Sequence, residues 1–348
     1  MKTSRLQTLA ATAAVTAIAG ALSLSPAQAV TTWQFALEEP QGQPQHTFAE
    51  KFAERMQELS DGQIAVGVYP YGTIGTSADL TELAQGGAIQ LTFASPGHFG
   101  SVVPEVQVFS VPYLLSQHHE VNAKVLAESP VLYEDLQEPI NERGLQFLTM
   151  WAGGEMVWTA DKEVRSPDDF DGFKMRTMVS PMLVETYNAF GADPTPMPYG
   201  EVYSGLQLGT IDGQVNPLYA IRDMNFYEVQ DYLIFPGENQ YTAMLVANKG
   251  WYDGLDEEQR EWLDTAARDA TDYIFDNIPQ INEDHLRAIQ EDDPDITVIE
   301  LTDEEKEAFA ERGQAAREKY IELAGERGRT ILEALEEEFS KTEEEIGQ

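Results

Sequence analysis

The alternation of strand-like and helix-like stretches after residue 30 constrains this chain more than any other feature. "TTWQFALEEP" alternates with the period of a strand and stops at Pro40. "HTFAEKFAERMQEL" then places Phe48, Phe52 and Met56 four residues apart, the spacing of an amphipathic helix, which Ser60-Asp61-Gly62 closes. "QIAVGVYP" reads as a strand ended by Pro70. "SADLTELAQGG" reads as a short helix capped by Ser77 and stopped by Gly86-Gly87. "IQLTFAS" is a strand running into the turn "PGHFG". The order β-α-β-α-β predicts an α/β fold with a mainly parallel sheet and helices on its faces.

The pattern continues downstream. "SQHHEVNAKVLAESPVLYEDLQEPINERG" is helical with an interruption at Pro130, and "LQFLTMWAGG" and "MVWTA" are strands. "SPDDFDG" is a helical turn with Ser166 as cap and Pro167 in first position. The strand "FKMRTM" follows, then the helices "SPMLVETYNAFGA" and "EVYSGLQLG", then the strand "YTAMLVAN". From Gly250 the chain is mostly helix, broken by "DITVIEL". No internal repeat is visible.

Residues 1–29 read as a secretory signal peptide rather than as part of the fold. Lys2 and Arg5 form a basic start, Leu6–Leu24 is apolar or small, and Ala27-Gln28-Ala29 is a small-x-small cleavage site. Cleavage after Ala29 is expected, giving an exported, periplasmic protein. No later run reaches the ~18 apolar residues of a membrane span. Removing the segment deletes two cations and no acid, taking the net charge from −38 to −40. Such a charge excludes nucleic acid as the default partner and argues against docking on anionic lipid. Its self-repulsion largely vanishes in molar salt, where the screening length is ~3 Å, so a salt-loving source is expected. With no cysteine, thiol catalysis and thiolate metal sites are unavailable, and the core alone must hold the fold. The last 98 residues carry 31 acids against 10 bases, read as solvated helix faces.

Enzyme signatures are missing from the sequence: no G-x-S-x-G, H-E-x-x-H, P-loop or G-x-G-x-x-G occurs. His118-His119 are adjacent and would diverge on a helix, so they make no metal pair. No catalytic residue, metal site or cofactor is expected. What remains are polar groups at strand ends, where ligands of open α/β sheets sit. Glu38-Glu39 end the first strand before Pro40. Arg176 lies in the strand after Gly172. Asn216 precedes Pro217, which biases it to extended backbone. Arginine offers a planar fork to a carboxylate, asparagine donates and accepts, and Glu39 accepts from hydroxyl, ammonium or amidinium groups. Together they describe a site for a small carboxylate-bearing molecule.

The stretch "SPDDFDGFKMRTMVSPMLVETYNAFGADPTPMPYGEVYSGLQLGTIDGQVNP" resembles the signature region of the solute-binding proteins of tripartite ATP-independent periplasmic (TRAP) transporters. "LSDGQIAVGVYPYGTIG" and "FSVPYLL" resemble that family too. The resemblance implies a two-lobed binding-protein fold with hinge strands and long C-terminal helices. One lobe would take residues 30–153 plus about 242–280, the other 154–241 plus about 281–348. It further implies closure on ligand, hand-over to small and large membrane subunits, a monomer, and no enzymatic activity. Arg176 matches the carboxylate-gripping arginine and Asn216 the asparagine of the D-G-Q-x-N-P motif. Glu155 stands where many members carry a second cation, so Glu39 and Glu155 are expected to face one arginine, which favours a zwitterion or polyhydroxy acid over a dianion. "GEMV", "ETYNAFGADPTP" and "GEVYSGLQLGTIDGQVNP" resemble the ectoine and hydroxyectoine binders most. In that subgroup Tyr199 and Tyr219 match aromatic positions that box the ligand, whereas His98 and Ala220 stand where larger aromatic groups occur. The resemblance thus sets out Arg176, Asn216, Glu39, Tyr199, Tyr219, Glu155 and His98 as ligand-binding residues.

Overall fold

The computed structural model describes residues 30–347; the expected signal peptide and its cleavage site lie outside the described residues. The amino-terminal half begins with β1 (Thr31–Ala36), α1 (Pro44–Leu59), β2 (Ile64–Tyr69), α2 (Ser77–Gln85), β3 (Leu91–Ala94) and the single turn α3 (Pro96–Phe99). Next come α4 (His119–Glu128), a π turn at Val131–Asp135, α5 (Gln137–Glu142), β4 (Leu145–Glu155) and β5 (Val157–Ala160). The remainder holds β6 (Met175–Thr177), α6 (Pro181–Phe190), β7 (Thr195–Pro196), α7 (Val202–Gln207), β8 (Gly213–Asn216), α8 (Leu218–Asp223), β9 (Tyr232–Phe235) and β10 (Gln240–Asn248). The chain closes with α9 (Lys249–Gly254), α10 (Glu257–Asp292), β11 (Thr297–Glu300) and α11 (Asp303–Ile346), which is kinked at Gly325, where φ is +67°.

The strands form two mixed sheets, each the centre of one lobe. The first has the order β2-β1-β3-β10-β4 and the second β11-β9-β5-β8-β6-β7. β1, β2 and β3 are parallel, as the β-α-β-α-β reading predicts, while β10 runs antiparallel to β3 and β4. In the first sheet β1 lies between β2 and β3, so successive crossovers leave β1 in opposite directions. β6 lies between β7 and β8, both parallel to it, and plays the same part in the second. Each lobe therefore has a topological switch point, where the carboxyl ends of neighbouring strands open a crevice.

The core of the first sheet follows from the spacing on α1. Phe48, Phe52 and Met56 are fully buried, and the two rings meet Phe35 of β1 edge-on at 6.3 and 5.6 Å between centroids. In the second lobe Trp158 on β5 packs on Phe170, Tyr187, Phe190 and Phe309 of the surrounding helices. Full burial of a large aromatic contributes about 2–3 kcal/mol, so these two clusters dominate each half.

The lobes are joined where β4 continues into β5 at Met156 and where β9 leads into β10 through Pro236–Asn239. The crossings are tied to each other. The Met156 N–H donates to the Asn239 carbonyl at 3.0 Å, and the Gly237 N–H donates to Glu155 Oε1 at 2.7 Å. Glu238 is buried there and accepts from the Trp158 indole N–H and the Tyr187 hydroxyl. Its burial pushes its pKa up to about 7. α10 packs on α1 and β4 in one lobe and on α8 in the other, so it bridges both. α11 likewise touches α4 and α6.

Some elements differ from the sequence reading. "GQVN" forms β8, "YLIF" forms β9, Leu218–Asp223 forms a helix, and "PGHF" is a helical turn rather than a simple turn. The strand read from "FKMRTM" shrinks to three residues because Phe173 is still part of the turn from Phe170.

Candidate functional site

The two switch points face each other across the cleft, and a cavity lies between them. Glu38, Glu39 and Gln43 enter it from the loop after β1, and Ser95 and His98 from the end of β3 and from α3. From the opposite lobe come Arg176 and Met178 of the β6 segment, Tyr199 ahead of α7, Asn216 at the end of β8, and Tyr219 and Ala220 of α8. Tyr241, at the start of β10, closes one side.

Arg176 is the centre of the site. It is 1 % exposed on the three-residue β6, paired in register with Thr195 of β7 and Gln214 of β8. Nε and Nη2 donate to the Met197 carbonyl at 3.0 and 2.7 Å. Nη1 is buried and has no hydrogen-bond partner, and among the described residues no carboxylate lies within ion-pair distance of the guanidinium. Burial pulls its pKa down to about 10. The inner edge of the fork is thus tied to the backbone and the outer edge, Nη1 with the remaining Nη2 hydrogen, is free for a planar acceptor.

The opposite wall is acidic. Glu39 is 5 % exposed; Oε2 accepts from the Gln45 N–H at 2.9 Å and Oε1 from the Tyr219 hydroxyl at 2.8 Å. Burial raises its pKa to about 7 despite those bonds, and the adjacent Glu38 adds to the rise. Glu38 Oε2 accepts from the Ser95 N–H at 2.7 Å, while Oε1 makes no hydrogen bond and lies 3.3 Å from His98 Nδ1 without the alignment of one. Gln43 donates to the Tyr199 hydroxyl at 3.3 Å, and its own Oε1 is buried without a partner. A buried polar atom without a partner costs about 1–3 kcal/mol. Three of them, Glu38 Oε1, Gln43 Oε1 and Arg176 Nη1, line this one cavity.

The lobes meet directly around it. Tyr219–Glu39 and Gln43–Tyr199 are hydrogen bonds across the cleft, and the Gly200 N–H donates to the Tyr71 hydroxyl at 3.3 Å. Gly97 allows a close approach: a Cβ there would fall 2.6 Å from Met178 Cε of the other lobe. Asn216 is 8 % exposed and donates to Gln214 Oε1.

Six of the seven residues expected from the sequence, namely Arg176, Asn216, Glu39, Tyr199, Tyr219 and His98, line the cavity together. Glu155 does not. β4 carries a bulge where Tyr241 pairs with Gly154 and Thr242 with Ala152, leaving Gly153 unpaired, and Gly154 has φ +105°. A bulge shifts the alternation of faces, and the Glu155 carboxylate turns to the Gly237 N–H at the hinge. The second acid lining the cavity is Glu38 instead. The sequence reading passed over Gln43 and Tyr241. Gln43 had a signal, since it precedes Pro44 at the first position of α1 and so had to sit at the mouth of a helix.

Two lobes, two hinge crossings and a polar cavity spanning both switch points define a solute-binding protein. The model of the "Bacterial extracellular solute-binding protein, family 7" family matches residues 35–323, and the chain belongs to that family, the solute-binding proteins of TRAP transporters. It is 39 % identical over 332 residues to the ectoine-binding periplasmic protein TeaA of Halomonas elongata, covering 95 % of this chain and 97 % of that one. It is also 39 % identical over 329 residues to the ectoine/5-hydroxyectoine-binding periplasmic protein UehA of Ruegeria pomeroyi, with 94 % and 96 % covered. The high-resolution structure of the periplasmic ectoine-binding protein from the Halomonas elongata TeaABC transporter superposes with a TM-score of 0.87, covering 89 % of this chain and all of that one. A sugar acid binding protein of Advenella mimigardefordensis in complex with galactonate, 28 % identical, gives 0.83 with 90 % and 99 % covered. Relatives in this family are periplasmic, bind small solutes and work with membrane subunits, and among the described residues no helix is long and apolar enough to cross a membrane.

Proposed function

We propose that the protein captures a small zwitterion of the ectoine or 5-hydroxyectoine type in the periplasm and presents it to the membrane subunits of its transporter. The outer fork of Arg176 takes the ligand carboxylate, with Asn216 beside it. Glu39 and Glu38 take the cationic, N–H-bearing end, and Tyr199, Tyr219 and Tyr241 wall the ring. The observation that carries this reading is the set of unpartnered buried atoms: a guanidinium nitrogen on one wall, a carboxylate oxygen and an amide oxygen on the other. Their signs complement a molecule with an anionic and a cationic end, and the identity to two ectoine binders points to the same ligand.

The chain works in this reading as a monomer without catalytic residue, metal or cofactor. It is exported by a signal peptide cut after Ala29 and belongs to a salt-loving organism. The lobe boundaries fall near residues 153, 241 and 280, close to the two hinge crossings and within α10. Closure follows from electrostatics: a buried guanidinium without an anion is disfavoured, and the ligand carboxylate removes that penalty in the closed form. Calorimetric titration with ectoine, 5-hydroxyectoine and galactonate tests the reading. Binding of either ectoine, lost in Arg176→Ala, is expected. Binding of galactonate alone supports a second reading, a sugar-acid binder, which the polar His98 and the small Ala220 in the wall favour.

A further inference from the structure

We infer that His98 is a specificity-determining residue of this site, its Nε2 accepting a hydrogen bond from a hydroxyl on the bound solute. The inference rests on the ligand site proposed above and adds to it the kind of solute selected.

The ring is held from one side only. Ser95 is locked to the wall by its N–H on Glu38 Oε2, and its Oγ lies 3.0 Å from His98 Nδ1. Glu38 Oε1 lies 3.3 Å from the same nitrogen. In the tautomer with its proton on Nδ1, which the neighbouring carboxylate favours because it can only accept, the lone pair stands on Nε2. Nε2 has no hydrogen-bond partner among the described residues and is not among the buried unpaired atoms, so it stays open to water on a side chain only 10 % exposed. The ring lines the cavity, and the apolar Met178 and Ala220 on the opposite lobe compete for no hydrogen bond from the solute. The N–H groups of a zwitterion are drawn to the two carboxylates, which are stronger acceptors. A neutral hydroxyl is what a lone imidazole nitrogen is left to read. A site that pairs with a hydroxyl discriminates against the analogue lacking it, because its own polar atom then gains no partner from the solute.

The test compares ectoine with 5-hydroxyectoine by calorimetry on the full-length mature protein and on His98→Phe. The expected result is a preference of about tenfold for 5-hydroxyectoine in the wild type and a ratio near one in the variant. An unchanged ratio in His98→Phe, or a wild-type preference for ectoine, overturns the inference. Should neither probe bind, the proposed ligand is wrong, and the His98 assignment is decided on the wild-type protein without ligand. Long-range nitrogen-15 NMR of the imidazole is expected to show the proton on Nδ1. A proton on Nε2 removes the acceptor and with it the inference.

Discussion

Replacing Arg176 by methionine should abolish ligand binding while leaving the ligand-free protein at least as stable as before. Both halves follow from the same geometry. The ligand-facing edge of the guanidinium supplies two charge-assisted hydrogen bonds, each about 1.5–3 kcal/mol. Losing them amounts to about 3–6 kcal/mol, or roughly 10²–10⁴ in Kd. The ligand-free side, taken for the closed arrangement of the lobes described above, is a balance. Burial holds the group at a pKa of about 10. Lying more than two pH units below the ordinary guanidinium value, at about 1.4 kcal/mol per unit, corresponds to about 3 kcal/mol of penalty for keeping it charged at pH 7. Methionine removes that penalty but strands the Met197 carbonyl, which accepts from Nε and Nη2; a bare buried carbonyl costs about 1–3 kcal/mol. The net change runs from about zero to about 2 kcal/mol in favour of the variant. Calorimetry with ectoine measures the first half. Urea unfolding followed by the fluorescence of the buried Trp151 and Trp158 measures the second. Lysine at the same position keeps a charge but not the fork, and should lose nearly as much affinity. A Kd within threefold of wild type refutes the assignment. So does a ligand-free variant weaker by more than about 3 kcal/mol, which would make Arg176 a structural tie between β6 and the segment after β7.

Glu39 makes binding pH-dependent. Its folded pKa of about 7 lies above the unfolded value of 4.5, so the ligand-free fold holds the proton more tightly. Stability is unaffected below pH 4.5, falls by about 3 kcal/mol between pH 4.5 and 7, and levels off above. A cationic ligand needs the ionised form, so affinity should fall about tenfold per pH unit below pH 7. Glu39→Gln should weaken binding and flatten both slopes, and titrations at several pH values that keep the slope in the variant would contradict this. Glu155→Gln touches the hinge but not the cavity, and calorimetry should find its affinity within about threefold of wild type, or ~0.7 kcal/mol; a loss as large as that of Glu39→Gln would return Glu155 to the site. The melting temperature should climb as NaCl is raised from low to molar concentration, since the acid excess is then screened, and a flat calorimetric series would speak against the salt-loving reading.

The parts of the molecule legible in the sequence share one property: their signal is local. Phe48, Phe52 and Met56 announce α1 by spacing, and Ser180-Pro181 announces α6. Asn216 stands beside Pro217, which fixes its backbone, and Arg176 follows the turn at Gly172 into its strand. β8 was hidden because "GQVN" has one apolar residue in four, and β9 because "YLIF" is too short a run to separate strand from helix. The misplacement of Glu155 has a geometric origin. Its facing direction depends on a bulge set by register with β10, whose partner residues lie some 85 positions away. Glu38 stood at a legible strand end, yet that it reaches the cavity through Ser95 and His98 depends on β3 lying beside β1.

The short strand β7 does more than finish a sheet. By leading the chain to Met197, whose carbonyl accepts from two nitrogens of Arg176 and whose N–H is anchored on the Thr177 carbonyl at 3.1 Å, it holds the guanidinium in place before any solute arrives. A free arginine side chain carries about 2 kcal/mol of rotamer entropy, and here that freedom is lost during folding rather than during capture. The solute meets an aimed guanidinium, so none of its binding energy goes into ordering that side chain. Loosening this two-residue strand would weaken binding through entropy alone, with every ligand contact still in place.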